Sequence, residues 1–370
     1  MEPKYQQIAN ALRRDIAIGV FQDGQALWTE DALARKFEAS RQTVRQAIAV
    51  LESDGLIVRR RGSGNYVTHG PRKQGSLLNV GVITTYITDY IFPSIVRGIE
   101  SVLSTGNCLM SLSATYNHTE RERALLERFL STPVDGLIIE GTKTAALNPN
   151  ISLYERLWER NIPYVFINGY YPQLTRNIHV VADDERGGRQ AVEALVQSGH
   201  RHIAGIFKSD DMQGQLRHQG FAAALRSHGL LLREEDVCWF TTENRHRFLQ
   251  RGDSASFVDG LAAHADAVVC YNDEIALALL EELLGRGVRV PEQISLISFD
   301  NSAYAGICNP KLTSLSHPKD EFGRTAALKL MNMMRGKQEG SIMLPWELIR
   351  RESVALRSKQ GQSGFDTTIT

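Results

Sequence analysis

The sequence predicts an α/β protein in two unlike parts, an N-terminal winged helix-turn-helix followed by a two-lobed body of doubly wound parallel sheets. Three observations predict it. Through the first fifty residues, apolar side chains recur every three to four positions, and an alternating segment then turns at Gly62-Ser63-Gly64. From Leu78 onward, short apolar runs alternate with amphipathic helical segments, the pattern of parallel strands with helices on both faces. Between the two regimes lies HGPRKQGSL, whose Gly, Pro and Ser mark a linker. The expected organisation is a head over 1–68, a linker over 69–77, a body over 78–357 and a tail over 358–370. So long a body exceeds one comfortable core, which argues for two lobes. The tail, SKQGQSGFDTTIT, has little to bury.

In the head, Tyr5, Ile8, Leu12 and Ile16 mark a first amphipathic helix, Leu33 and Phe37 a second, and Val44, Ile48 and Leu51 a third. LIVRRRGSGNYVTH then reads as a β-hairpin, the wing. The body's strands are LNVGVITT, CLMSLSAT, DGLIIEG, PYVFING, IHVVADD, HIAGIFK, VCWFTT, AVVCYND and ISLISFD. Segments such as RERALLERFL and RQAVEALVQSG are the helices between them.

Across 370 residues, 42 Lys and Arg balance 42 Asp and Glu, but the balance is uneven along the chain. Residues 1 to 73 hold 12 Lys/Arg against 8 Asp/Glu, leaving 30 against 34 for the remainder, so a basic head sits on an acidic body. No stretch reaches the roughly 18 to 20 apolar residues that cross a bilayer, and MEPKYQQIAN lacks the pattern of a signal peptide. The expected location is therefore the cytoplasm. Cys108, Cys238, Cys270 and Cys308 lack CxxC spacing, so neither a disulfide nor zinc is expected.

The third helix places Ser40 as N-cap, with Arg41, Gln42, Thr43, Arg45 and Gln46 polar and Val44, Ala47, Ile48 and Leu51 as its buried stripe. Arginine forks and amides are the donors that base edges and phosphates accept in a major groove, and the helix N-terminus favours phosphate. The wing adds Arg59, Arg60 and Arg61 before Gly62 and Gly64, a narrow basic tip, and Lys4 and Arg35 add possible phosphate clamps. Any one arginine alone would read as a solvated surface charge; the clustering points to DNA.

A doubly wound fold binds ligands at the carboxyl ends of its strands. Those positions hold Tyr86, Glu140, Asn168, Asp183, Lys208, Asp273 and Asp300, with Tyr90, Phe92, Lys143, Asp211 and Arg217 close behind and His317 in LTSLSHP near an expected lobe crossing. Carboxylates, amides and cations pair with hydroxyls while aromatic rings cover a sugar's apolar face, so the set suits a polyol. Blander readings stand beside it: Asp183 or Asp273 capping the next helix, Glu140 and Lys143 as a surface pair, and His317 as a packed histidine.

The run DALARKFEASRQTVRQAIAVLESDGLIVRRRGSGNYV resembles the winged-helix domain of the GntR family of bacterial transcription regulators, over residues 5–67. It departs in ALWTEDALA, where the family reads leucine, proline, serine, glutamate before the second helix. From about 78 to 354 the chain resembles the periplasmic-binding-protein-like effector domain of LacI/GalR-type repressors, through VADDERGGRQAVEALVQSGHRHIA, LRHQGFAAAL, CYNDEIALALL, VPEQISLISFDN and LTSLSHPKDEFGRTAALKLM. That resemblance implies sugar contacts at Arg217, Asp273 and His317, although many relatives carry glutamine at the last position. Ser209-Asp210-Asp211 departs from the family's glycine-rich loop. The union of these two parts, with GLIIEGTKTA and GIFKSDDMQG, is similar to the arabinose-responsive group of repressors, which implies L-arabinose as effector, operator DNA as partner and a homodimer.

Two other classes compete. A sugar-metabolising enzyme with such sheets needs a phosphate loop, a metal cluster or an activated nucleophile, and GxxxxGK[ST], HExxH and GxSxG are all missing. His200 and His202 are the nearest metal-like pair, with no third ligand evident. A stand-alone sugar-binding protein would need an export signal and no basic head. A regulator of another sugar is the variant that the residues leave open; no catalytic residue, cofactor or metal is expected.

Overall fold

The structure is a computed structural model that describes residues 3–17, 20–21, 24–60, 63–67, 77–87, 91–246 and 255–357. The expected linker, apart from Leu77, and the expected tail lie outside the described residues, as do Arg61, Gly62 and Tyr90.

The head packs helices α1 (Lys4–Ala17), α2 (Glu30–Lys36) and α3 (Arg41–Ser53) against a hairpin of β1 (Ile57–Arg60) and β2 (Gly64–Val67). Ile8, Leu12, Leu33, Val44, Leu51, Ile57 and Val67 form its core. The wing pairs antiparallel, Ile57 opposite Val67 and Arg60 opposite Gly64. Gly64 sits at φ +116°, a conformation that favours glycine. The ALWTEDALA departure is accommodated by ring packing and a cap. Trp28 stands edge-on to Phe21 at 4.8 Å and carries the Lys36 ammonium 3.9 Å above its ring, while Thr29 Oγ1 accepts the Ala32 N–H at 3.2 Å.

In the body, all nine expected strands form, and three more join them. The first lobe's sheet runs β13 (Ile342–Leu344), β7 (His179–Ala182), β6 (Tyr164–Ile167), β5 (Gly136–Glu140), β3 (Leu78–Thr84), β4 (Cys108–Ala114), all parallel. The second runs β14 (Glu347–Ile349), β12 (Thr313–Ser316), β11 (Ser295–Phe299), β10 (Ala267–Cys270), β8 (Ile203–Lys208), β9 (Val237–Phe240), with only β14 antiparallel. Because β12 and β14 belong to one sheet and β13 to the other, the chain crosses between lobes at 317–318 and 345–346, in addition to the crossing at Asp183. These crossings set the two sheets with a shared cleft at their carboxyl ends.

Helices α4 (Phe92–Leu103), α7 (Asp184–Gln197), α8 (Met212–Ser227) and α12 (Lys319–Met334) cover the sheets' inner faces in one apolar core that includes Val82, Ile99, Val192, Phe221 and Phe322. Two glycine pairs bring their backbones together. A Cβ on Gly98 would lie 2.1 Å from Asp320 O and one on Gly323 2.0 Å from Ile95 O; a Cβ on Gly188 would lie 2.0 Å from Arg217 O and one on Gly220 1.8 Å from Glu185 O. Only glycine permits approaches this close. The second pair sets α8 against α7, and with it Arg217 against Asp184.

No helix among the described residues is long and apolar enough to cross a membrane.

Candidate ligand cleft and nucleic-acid interface

The cleft is lined from both lobes. The first supplies Thr85 and Tyr86 after β3, Asn117 after β4, Glu140 and Gly141 at the end of β5, Gly169 after β6, and Phe92 at the start of α4. The second supplies Lys208 and Asp211, Arg217 on α8, Phe240 at the end of β9, Tyr271 and Asn272 after β10, and Asp300 after β11. Every strand contributor sits at a carboxyl end, where the doubly wound topology leaves a crevice.

Glu140 is 7% exposed. Its Oε2 accepts the Thr85 N–H at 2.6 Å and the Thr85 hydroxyl at 2.5 Å, and its Oε1 accepts the Asn168 amide at 2.9 Å. Burial pushes this carboxyl up to about 7, against the opposing pull of Thr85, Asn168 and the Lys208 ammonium. Opposite it, Lys208 Nζ bonds Asp211 Oδ2 at 3.0 Å and lies 3.3 Å from Asp210 Oδ1. Burial disfavours the ammonium; Asp211 and Asp210 outweigh it and hold its pKa above the ordinary lysine value. Asp211 also caps α8 through the Gly214 N–H at 2.7 Å and accepts the Tyr271 hydroxyl at 2.6 Å.

Arg217 is 1% exposed, with its Nε 2.8 Å from Asp184 Oδ1 and Nη1 2.6 Å from the Tyr271 carbonyl. The guanidinium lies 4.4 Å from the Phe299 ring, 4.9 Å from Tyr271 and 5.1 Å from Trp346. Burial opposes this charge too, and Asp184 with Asp300 hold it protonated.

Five of the expected residues lie off the cleft wall. Asp273 is fully buried behind it, its carboxylate accepting from the Ser298 and Ser314 hydroxyls at 2.5 and 2.7 Å and from the Ser302 N–H at 2.5 Å. It is the first residue of α10 (Asp273–Gly285); Asn272 caps that helix through the Ile275 N–H, while Asp183 caps α7. Asn168 supports Glu140 from below. Lys143 pairs with Glu243 of the other lobe rather than with Glu140. His317 is buried at a lobe crossing, edge-on to Trp346 at 4.9 Å, and burial with the nearby Lys319 and Arg217 charges drives its pKa well below the ordinary histidine value. Tyr86, Phe92, Glu140, Lys208, Asp211, Arg217 and Asp300 are brought together.

Sequence reasoning passed over Thr85, Gly169, Tyr271 and Asn272, each one or two positions from a residue it named, so the strand-end rule could have reached them. Gln213, two positions past Asp211, was within the same reach, whereas Asn117 and Arg245 also line the cleft but come from farther along the chain, with no periodic signal.

Among the described residues, no group of three or more His, Cys, Asp or Glu side chains could hold a metal. His200 is buried, with Nδ1 3.2 Å from Asp266 and Nε2 3.2 Å from the Ala355 carbonyl, whereas His202 is exposed. Among the described residues, the cleft wall carries no histidine, cysteine or serine. What the wall offers is a ring of hydrogen-bonding groups broken by aromatic faces.

On the head, Ser40 Oγ caps α3 by accepting the Thr43 N–H at 3.1 Å. Arg41, Gln42, Arg45 and Gln46 are exposed on one helix, and Thr43 is half-buried. Arg41 pairs with Asp31 and Arg45 with Glu30, the latter at 2.7 Å, both partners being at the start of α2. Lys4, Arg35, Arg59 and Arg60 are exposed, and Arg60 stacks 4.5 Å from the Tyr66 ring.

A capped basic helix with a basic wing, joined to a two-lobed ligand cleft, defines a ligand-responsive DNA-binding regulator. Residues 4–67 match the gntR family of bacterial regulatory proteins, and residues 192–354 match the periplasmic binding protein-like domain. The arabinose metabolism transcriptional repressor of Geobacillus stearothermophilus is 38% identical to this chain, over 95% of it and 97% of that protein. The repressor of the same description from Halalkalibacterium halodurans is 35% identical, over 98% of this chain and 99% of that protein. Among solved structures, transcription regulator CcpA of Lactococcus lactis is similar at a TM-score of 0.64 and 26% identity, over 75% of this chain and 100% of that one. The chain belongs to the family of bacterial repressors that join a GntR-type head to a LacI/GalR-like body, in which arabinose-metabolism repressors are near relatives. It is a sugar-responsive transcriptional repressor that binds operator DNA, not an enzyme.

Proposed function

We propose that this protein acts in the cytoplasm as a homodimer on arabinose-utilisation operators and is released by L-arabinose bound between its lobes. The observation that carries this reading is the convergence of Glu140 from one lobe and Arg217 from the other, both buried, on one cleft edged by Tyr86, Phe92 and Tyr271. Glu140, Asp211 and Asp300 accept sugar hydroxyls, Lys208 and Arg217 donate to sugar oxygens, and the rings cover the apolar face of the pyranose. The names of the relatives at 38% and 35% identity supply the choice of arabinose. On the DNA side, Arg41, Gln42, Arg45 and Gln46 enter the major groove while Arg59 and Arg60 meet phosphates.

A thermal-shift screen of pentoses and hexoses tests the ligand. A sugar at one hundred times its Kd stabilises the folded state by about 2.7 kcal/mol, so L-arabinose should raise the melting temperature above any other sugar. A larger rise with another pentose or a hexose would overturn the choice. Glu140→Ala and Arg217→Ala should each lose roughly 1 to 3 kcal/mol of sugar affinity, because each leaves buried partners unpaired. Wild-type affinity in both would remove the cleft from the mechanism.

A further inference from the structure

Along one rim of the cleft, the lobes are joined by bonds made of protein atoms alone. Asn117, buried and in the left-handed region at φ 58°, faces both ways. Its Oδ1 accepts the Lys143 N–H of its own lobe at 2.8 Å, and its Nδ2 donates to Thr242 Oγ1 of the other lobe at 2.5 Å. Next to that bond the Lys143 ammonium pairs with Glu243. A third bond runs from the Met212 N–H, at the start of α8, to Thr144 Oγ1 at 2.9 Å.

Both halves of this seam are held in place. On the first lobe, the Thr142 N–H donates to the Tyr171 hydroxyl at 2.6 Å, and that hydroxyl reaches the buried Glu122 carboxylate at 2.5 Å. Lys143 itself sits at φ 46°, so this corner combines two left-handed residues with a buried brace. On the second lobe, the Thr242 N–H donates to Asp210 Oδ2 at 3.0 Å and the Thr241 N–H to Asn244 Oδ1 at 2.6 Å, which fix the loop after β9. Thr242 and Glu243 do not line the cleft.

We propose that Thr242 and Glu243 set sugar affinity without touching the sugar: with Asn117 and Lys143 they form a latch between the lobes that favours the closed cleft. The proposal rests on the reading that the sugar seats in this cleft. A ligand that needs the closed state binds with an apparent Kd raised by the inverse of the closed fraction, so weakening the latch weakens binding. One net hydrogen bond is worth a factor of about two to ten, and a partly exposed ion pair adds up to about fivefold.

The test uses the full chain carrying Thr242→Val with Glu243→Gln, both close to isosteric and away from the cores. Small-angle scattering without sugar should show a more extended body than wild type, and calorimetry should show L-arabinose binding about tenfold weaker, with faster release. Thr242→Ser, which keeps the hydroxyl, should restore the wild-type values when Glu243 is intact. Unchanged scattering would overturn the latch, whether or not affinity falls, because affinity lost without opening would make Thr242 or Glu243 an ordinary sugar contact. If wild type binds no L-arabinose, the ligand reading fails by itself, and the scattering comparison still decides the latch.

Discussion

At the residue scale, Glu140 is the cleft-lining carboxyl whose protonation burial shifts. Burial raises its carboxyl to about 7, above the ordinary value of 4.5, so the folded protein holds a proton there that the unfolded chain has given up. The stability this contributes is fully present below about 4.5 and is lost as pH rises through about 7. The melting temperature of sugar-free wild type should therefore fall between pH 5 and 8 relative to Glu140→Gln, a comparison in which the contributions of other buried carboxyls cancel. A sugar hydroxyl donating to Glu140 bonds the ionised form more strongly, so binding at pH 7 should release part of a proton per site. Calorimetry in two buffers of different ionisation enthalpy measures it, and buffer-independent heats would show that sugar binding does not ionise Glu140. Glu140 was legible as a candidate because topology dictates which end of a strand meets the cleft, whereas the role expected of Arg217, on α8, came with the resemblance to LacI/GalR-type repressors. Asp273 shows the limit of that rule. One position beyond Asn272 its side chain turns inward to three donors from neighbouring strands and loops, and nothing local in CYNDEIA announces those distant serines. Lys143 lies off the cleft wall for a related reason, its partner Glu243 being a hundred positions away in the other lobe.

At the scale of elements, α3 was readable in full: the cap Ser40 stands directly before the thirteen residues that hold the buried stripe and the polar face. The sequence did not reveal that α2 meets α3 with two carboxylates, Asp31 and Glu30, on Arg41 and Arg45. Exposed pairs of this kind are worth about 0 to 1 kcal/mol, so the guanidinium groups can exchange them for DNA at little cost. Arg45→Ala should lose roughly 1 to 3 kcal/mol of operator binding while circular dichroism and melting stay near wild type. Fluorescence anisotropy with an operator duplex is the measurement, and unchanged affinity in a folded variant would take Arg45 out of the interface. The body's central apolar strands, such as β5, β8 and β11, were equally legible, being buried along their length and bounded by helices. Strands β13 and β14 were not, since each has three residues and they join different sheets on either side of Pro345-Trp346. Their partners, β7 and β12, are set by the path of the whole chain.

At the scale of the molecule, the question is how a sugar in the cleft reaches the DNA. Arg217 touches the routes by which the chain passes between lobes. It bonds Asp184, which follows the first crossing, and stacks on Trp346, which belongs to the third; His317, at the second, packs edge-on to the same Trp346. A ligand that draws on Arg217 therefore acts on residues packed at the crossings between the lobes, and it favours the lobe arrangement for which it has the higher affinity. In a dimer, paired recognition helices must match half-sites about 34 to 36 Å apart, or a multiple of that, so a change in lobe arrangement that shifts the two heads leaves each binding only its own half-site. This predicts negative coupling between sugar and operator of roughly 1 to 3 kcal/mol, a factor of about 5 to 150, and thermodynamic reciprocity requires operator DNA to weaken sugar binding by the same factor. Titrating L-arabinose into the protein with and without a saturating operator duplex measures it from one side, and titrating operator with and without sugar measures it from the other. Equal sugar affinity in the first pair would show that lobe closure does not reach the heads, and unequal factors in the two pairs would show that the free and bound dimers are not joined by a single closed cycle.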